Sequence, residues 1–100
     1  AQVYRILENA GFKNMRVAVF DTYFVKKNGM IRHFEIIVPE DQSYEKVIQY
    51  GLEYLKRGGQ EDQPLTTKEC LFWHVEAASE GLEKTIKENG HCIYEIEECN

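Results

Sequence analysis

No run in this chain approaches the ~18 consecutive apolar residues that a membrane-crossing helix needs. The first residues also lack a basic stretch followed by an apolar one, so no secretory leader is expected. Cysteine is scarce and odd in number: three residues, at 70, 92 and 99, without the spacing of a disulfide framework. The expected setting is reducing and cytoplasmic, with free thiols. Cation-rich segments are missing too. The longest basic clusters are the pairs Lys26-Lys27 and Lys56-Arg57, and 12 Lys and Arg against 17 Asp and Glu leave a net charge of −5. That balance argues against nucleic acid, whose phosphates need clustered cations, and against an anionic membrane surface. Gly58-Gly59 stands alone, so no glycine-rich phosphate loop is present, and neither the G-x-S-x-G nor the H-E-x-x-H pattern occurs. No cofactor is expected.

With 100 residues the chain has room for one core. A domain of that size buries roughly two thirds of its unfolded surface, enough to fold without disulfides or metal. Val3, Ile6, Leu7 and Ala10 recur at helical spacing before Gly11. Residues 1–14 are therefore expected to form a short, dispensable helical extension, and residues 15–100 the domain itself.

Residues 16–25 alternate as a strand, with Val17, Val19, Tyr23 and Val25 on a face that Asp21 interrupts. Asn28-Gly29 between two apolar runs predicts a hairpin. A two-residue turn there pairs Tyr23 with Phe34, Asp21 with Ile36, Val19 with Val38, Thr22 with Glu35 and Phe24 with His33. Pro39 ends the second strand. Asp41 or Ser43 can cap a helix running to about Lys56, its buried stripe being Tyr44, Val47, Ile48, Gly51, Leu52 and Leu55. A polar loop over 58–68 follows. Cys70 to Glu76 alternates as a strand, although Thr66-x-x-Glu69 is a capping-box pattern that would start a helix instead. Ser79 can cap a helix to Asn89 that ends at Gly90, and residues 91–97 read as a last strand. The predicted architecture is α+β, in the order (α)-β-β-α-β-α-β, with a mixed four-stranded sheet packed against two main helices.

Chemistry gathers around residues 70–76. At period two, Leu71, Trp73 and Val75 point one way and are expected to be core. Cys70, Phe72, His74 and Glu76 point the other way. Cys70 and His74 are ~13 Å apart along an extended strand, too far to share a zinc ion. No metal is expected unless this segment is helical. A cysteine nucleophile needs an adjacent imidazole or a helix N-terminus. Cys70 has neither in sequence, so Cys70 and Cys92 read as small buried hydrophobes. Asp21, on an otherwise apolar face, needs a partner or a proton. His74 and Glu76 have the types of a base and its orienting group, and equally of a structural pair.

From Met15 onward the chain resembles a small bacterial family of uncharacterised proteins known as domain of unknown function 2024. The resemblance rests on Met-Arg-Val-Ala-Val-Phe-Asp-Thr-Tyr at 15–23, on His33-Phe34-x-Ile36-Ile37-Val38-Pro39, and on Leu65-Thr66-x-Lys68-Glu69-Cys70-x-Phe72. His74-x-Glu76 and Ile93-Tyr94-Glu95 extend it. It implies no activity. It does imply a Cys-x-x-Cys-His pattern in relatives, which Trp73 breaks here, so a dithiol or metal role does not carry over.

The leading reading is a binding module for a protein partner or a small ligand. Its candidate face comprises Asp21, His33, Glu35, Cys70, His74 and Glu76, beside the 58–68 loop. The alternatives are a small enzyme using His74 with a carboxylate or Cys70, and a homo-oligomer subunit joined through Phe24, Tyr50 and Tyr54. Convergence in one concave pocket would favour the enzyme.

Overall fold

Two strands whose alternate residues are apolar over most of their length form the centre of the molecule. The structure, a computed structural model, describes residues 15–26, 28–60, 65 and 68–95. The expected extension over 1–14, Cys99 and most of the 58–68 loop lie outside the described residues. Strands β1 (Arg16–Val25) and β2 (Ile31–Pro39) pair antiparallel, followed by helix α1 (Tyr44–Arg57), strand β3 (Cys70–Ala77), helix α2 (Glu80–Asn89) and strand β4 (Cys92–Glu95). The order β-β-α-β-α-β agrees with the sequence reading. Residues 70–77 are a strand and not a helix.

The sheet order is β3-β1-β2-β4, and all three pairings are antiparallel. This corrects the expectation of a mixed sheet. β2 and β3 do run in the same direction, as a helical crossover requires, but β1 lies between them. The hairpin holds the central positions, and each crossover places its strand on an edge.

The expected register is also corrected, by one residue. Lys26 N–H donates to the Met30 carbonyl at 2.7 Å and Gly29 N–H to the Lys26 carbonyl at 2.8 Å, so the turn holds three residues and not two. Gly29 takes φ +88°, the left-handed residue that closes such a turn, and the Asn28 side chain accepts from Met30 N–H at 3.0 Å. Asp21 therefore faces Glu35, Thr22 faces Phe34, Tyr23 faces His33, and Phe20 faces Ile36. A one-residue change exchanges which side chains share a face. Here it gathers Ala18, Phe20, Phe24, Phe34, Ile36 and Val38 on one side, all buried.

α1 covers that side with Val47, Gly51 and Leu55, while Leu52, expected to be inward, is exposed. Ser43 Oγ caps α1 by accepting from Lys46 N–H at 3.3 Å. At Gly51 an added Cβ would strike Leu65, so helix and loop approach closely only because no side chain is there. α2, capped by Ser79 and ended at left-handed Gly90, packs Ile86 and Leu82 against Val17, Val19 and Ile37 on the opposite face. Ten residues of helix reach only ~15 Å, while the ten residues of β1 extend ~33 Å. α2 thus covers the Val17–Val19 end and leaves the hairpin end of its face open.

β3 contains the third correction. Its pairing with β1 shifts between Val19↔His74 and Phe20↔Phe72, which makes Trp73 the extra residue of a bulge. The alternation changes phase there. Cys70 and Phe72 lie on the α1 side, opposite Thr22 and Phe20. His74 and Glu76 lie on the α2 side, opposite Val19 and Val17. Leu71 and Trp73, expected in the core, are 54% and 60% exposed. Substitution should separate these positions. Phe34→Ala is expected to cost about 3–5 kcal/mol, as for a fully buried aromatic. Trp73→Ala should cost about 1 kcal/mol or less. Paired urea titrations measure both, and comparable losses would contradict the bulge.

Candidate functional site

The open half of the α2-side face is built by alternation. β1 contributes Asp21 and Tyr23, β2 contributes His33 and Glu35, β3 contributes Leu71 beside Asp21, and β4 contributes Tyr94 beside Glu35. The row Leu71–Asp21–Glu35–Tyr94 has two carboxylates at its centre and an exposed apolar or aromatic group at each edge. One row along, His74 stands at the β3 edge, aimed to this side by the bulge. The Trp73 ring meets the His74 imidazole edge-on, with centroids 4.3 Å apart. Tyr23 and His33 approach with centroids at 6.0 Å.

His74 Nε2 lies 3.4 Å from Glu76 Oε2. The pair runs along a single strand and is partly exposed on both sides, 37% and 48%. Such pairs contribute ~0–1 kcal/mol. Glu35 experiences its neighbours more strongly. Its carboxyl is pushed above the ordinary glutamate range, first by burial and then by the charges of Asp21 and Glu76, with His74 acting in the opposite direction. Three other residues of the predicted face, Asp21, His74 and Glu76, thus act on Glu35, and His33 lies on the same side.

Cys70 does not belong to this group. It is fully buried on the α1 side, where Thr22 Oγ1 lies 3.4 Å from its sulfur and the Tyr44 hydroxyl donates to its carbonyl. Burial pushes its thiol up, away from thiolate chemistry, although Thr22 and Tyr44 partly offset this. Sequence reasoning placed it with His74 because strict alternation was continued through the bulge. His91, a conceivable neighbour for a thiol, stacks on Tyr50 with centroids 3.9 Å apart. Among the described residues, no three His, Cys, Asp or Glu side chains gather to hold a metal ion.

Tyr23, Leu71, Trp73 and Tyr94 complete the surface; strict alternation assigns Leu71 and Trp73 to the core, and neither Tyr23 nor Tyr94 stands out in the sequence as a site residue. Tyr23 carried a signal, since it sits two residues from Asp21 as His33 does from Glu35. Tyr94 carried none, because which strand β4 would join could not be read.

The family model described as Domain of unknown function (DUF2024) matches residues 15–96. The chain belongs to this family. Among solved structures, it is similar to the NMR structure of protein NE1680 from Nitrosomonas europaea, a structural genomics target. The two are 35% identical, the match covers 86% of this chain and 100% of that one, and the TM-score is 0.76. Comparison with curated proteins finds no match. The neighbour shares the α+β fold, and the family match begins at Met15, as the sequence resemblance does.

The electrostatics of Glu35 generate a test. The folded chain holds the Glu35 proton to higher pH than the unfolded chain does. This group's contribution to stability is therefore fully present below the ordinary glutamate range of ~4.3 and is lost as pH rises through the raised value. Glu35→Gln should raise the melting temperature at neutral pH, and the difference should close in acid, where both forms are neutral. Melting curves across pH measure this; a lower melting temperature for the variant at neutral pH would show that Glu35 is stabilising.

Proposed function

We propose that this domain is a binding module of the cytoplasm, and that the open half of its sheet docks a positively charged segment of a partner protein. The observation that supports this most is the Asp21–Glu35 pairing. Two carboxylates face each other across strands, and Glu35 is pushed up, first by burial and then by the charges of Asp21 and Glu76. Like charges directly opposite destabilise a sheet. A lysine or arginine from a partner would relieve that repulsion and gain two acceptors at once. The exposed Leu71 and Trp73 on one edge, and Tyr94 on the other, flank the acidic centre with the apolar and aromatic groups that dominate recognition surfaces. A segment with basic residues between apolar ones fits this pattern.

The free state of Cys70 and Cys92 suits a reducing compartment. No helix among the described residues is long and apolar enough to cross a membrane.

The enzyme alternative needs convergence in a concavity. Asp21, His33, Glu35, His74 and Glu76 line none of the clefts formed at the α1 end, along α2 or at the hairpin turn. The oligomer alternative assigned exposure to aromatics that the fold uses internally. Phe24 is 5% exposed, Tyr54 packs on Phe34 with centroids 4.6 Å apart, and Tyr50 stacks on His91.

The test uses a synthetic peptide of alternating lysine and leucine, titrated into isotope-labelled protein and followed by NMR. Amide shifts should concentrate at Asp21, Tyr23, Glu35 and His74, and a glutamate–leucine peptide should produce none. The double variant Asp21→Asn, Glu35→Gln should weaken binding about tenfold, ~1.4 kcal/mol. Shifts centred on α1, or binding indifferent to the double variant, would overturn the assignment.

A further inference from the structure

On the reading that the open face docks a basic segment of a partner protein, we infer that this segment is an amphipathic helix. It lies across the strands beside α2 and presents apolar, basic, basic and apolar side chains on successive turns. α2 supplies the template. It follows β3 at one edge of the sheet and precedes β4 at the other, so it crosses the same face obliquely. Its ten residues reach ~15 Å, and the three strand spacings from β3 to β4 amount to ~14 Å. A helix of that length spans the sheet from edge to edge. α2 seats Leu82 and Ile86 on Val17, Val19 and Ile37. Packed helices lie about 8–10 Å apart, which is about two to three residues along β1 at ~3.4 Å each. A second helix beside α2 therefore settles over Asp21 and its row.

The row has the spacing of a helical face. Leu71, Asp21, Glu35 and Tyr94 stand on four adjacent strands, so successive side chains are ~4.8 Å apart. One helical turn rises ~5.4 Å. Residues i, i+3, i+7 and i+10 of a helix share a face, and they meet the four in turn over ~15 Å. Apolar residues at the two ends meet the exposed Leu71 and Tyr94, and lysine or arginine at the two inner positions meets Asp21 and Glu35.

An extended segment laid across the row also spans it, since its same-face side chains recur every ~6.8 Å. It brings a single side chain to the two carboxylates, however, and its backbone N–H and C=O groups meet no ladder on the face of a sheet. A helix satisfies its own backbone and brings two cations. A segment laid along the strands runs into α2 one row beyond Asp21, at Val19, and reaches only one of the two apolar edges. Neither α1 nor α2 carries two basic residues one turn apart between apolar ones at this spacing, so a second copy of the chain does not supply the helix.

The experiment titrates the full isotope-labelled chain with two alanine-based peptides of about 15 residues, a length at which helix forms. One carries leucine, lysine, lysine and leucine at i, i+3, i+7 and i+10. The other carries the same four at alternate positions, as an extended segment would present them. The first should bind about tenfold more tightly, and its own Cα shifts should move to helical values on binding. Leu71 and Tyr94 are exposed at opposite edges. Leu71→Ala and Tyr94→Ala should leave the melting temperature unchanged, and each should weaken the first peptide severalfold. Equal or tighter binding of the alternating peptide overturns the helix and leaves the basic-segment reading standing; failure of both peptides removes the two together. A loss at one edge with none at the other overturns the crossing direction. Shifts at Asp21 and Glu35 on dilution without peptide would place a second copy there and overturn the proposal.

Discussion

Thr22 lies opposite Phe34, and Asp21 opposite Glu35, and every other feature of the molecule is arranged around that register. β1 carries two interleaved sets of side chains. The even set, Ala18, Phe20, Thr22 and Phe24, is buried along its whole length. The odd set begins apolar, with Val17 and Val19, and turns polar at Asp21. β2 repeats the division, with Phe34, Ile36 and Val38 against His33 and Glu35. Pairing even with even gives one face that is apolar from Ala18 to Phe24 except for Thr22, and one face apolar at a single end. Any odd-to-even register would bury charge or expose phenylalanine on both sides. The more apolar face takes the longer helix, α1, and the half-apolar face takes the shorter, α2. The open polar surface is what remains.

The bulge at Trp73 performs the corresponding adjustment on the third strand. β3 must bury Cys70 against Thr22 at one end and Val75 near Ala18 at the other. They are five positions apart, an odd offset, and strict alternation would place them on opposite faces. One extra residue reconciles both with the core, and it also turns His74 and Glu76 toward the acidic row. The imidazole that moderates Glu35 is therefore delivered by a packing requirement of the other face. Bulges commonly re-aim a side chain in this way.

Much of this was legible. The serines at 43 and 79 are chemically committed to capping, and the structure uses both; Gly90 is committed to a left-handed helix stop. Asn28-Gly29 marked the hairpin, and the apolar sets marked the strands. Three things were not legible, each for a physical reason. Asn-Gly suits a two-residue turn in which both residues have positive φ, but equally a three-residue turn in which glycine alone does; only the facing strands decide, and here the even-to-even match decides. A bulge leaves no local mark, since Trp73 is a good strand residue whether inward or outward. The sheet order depends on which edge each crossover reaches, which no single segment encodes. Five of the six residues named for the candidate face still share a side, because three of them sit on β1 and β2 and two just past the bulge in a common phase. Cys70 fell on the wrong side of that phase change.

The same alternation explains how one hairpin serves two separate surfaces. Tyr23 and Phe24 are neighbours in sequence, as are Arg32 and His33, yet the first and last of these four belong to the acidic face and the middle two to the cleft at the C-terminal end of α1. At physiological ionic strength charges act over ~8 Å, so a partner at either surface responds to the local groups and not to the total. Each surface also holds its charges in check internally. His74 moderates the carboxylates on one side, and Glu95, bridging Arg32 and Tyr54, moderates the cations on the other. A surface balanced in this way stays compatible with folding, because each charge meets an opposing one on its own face of the sheet.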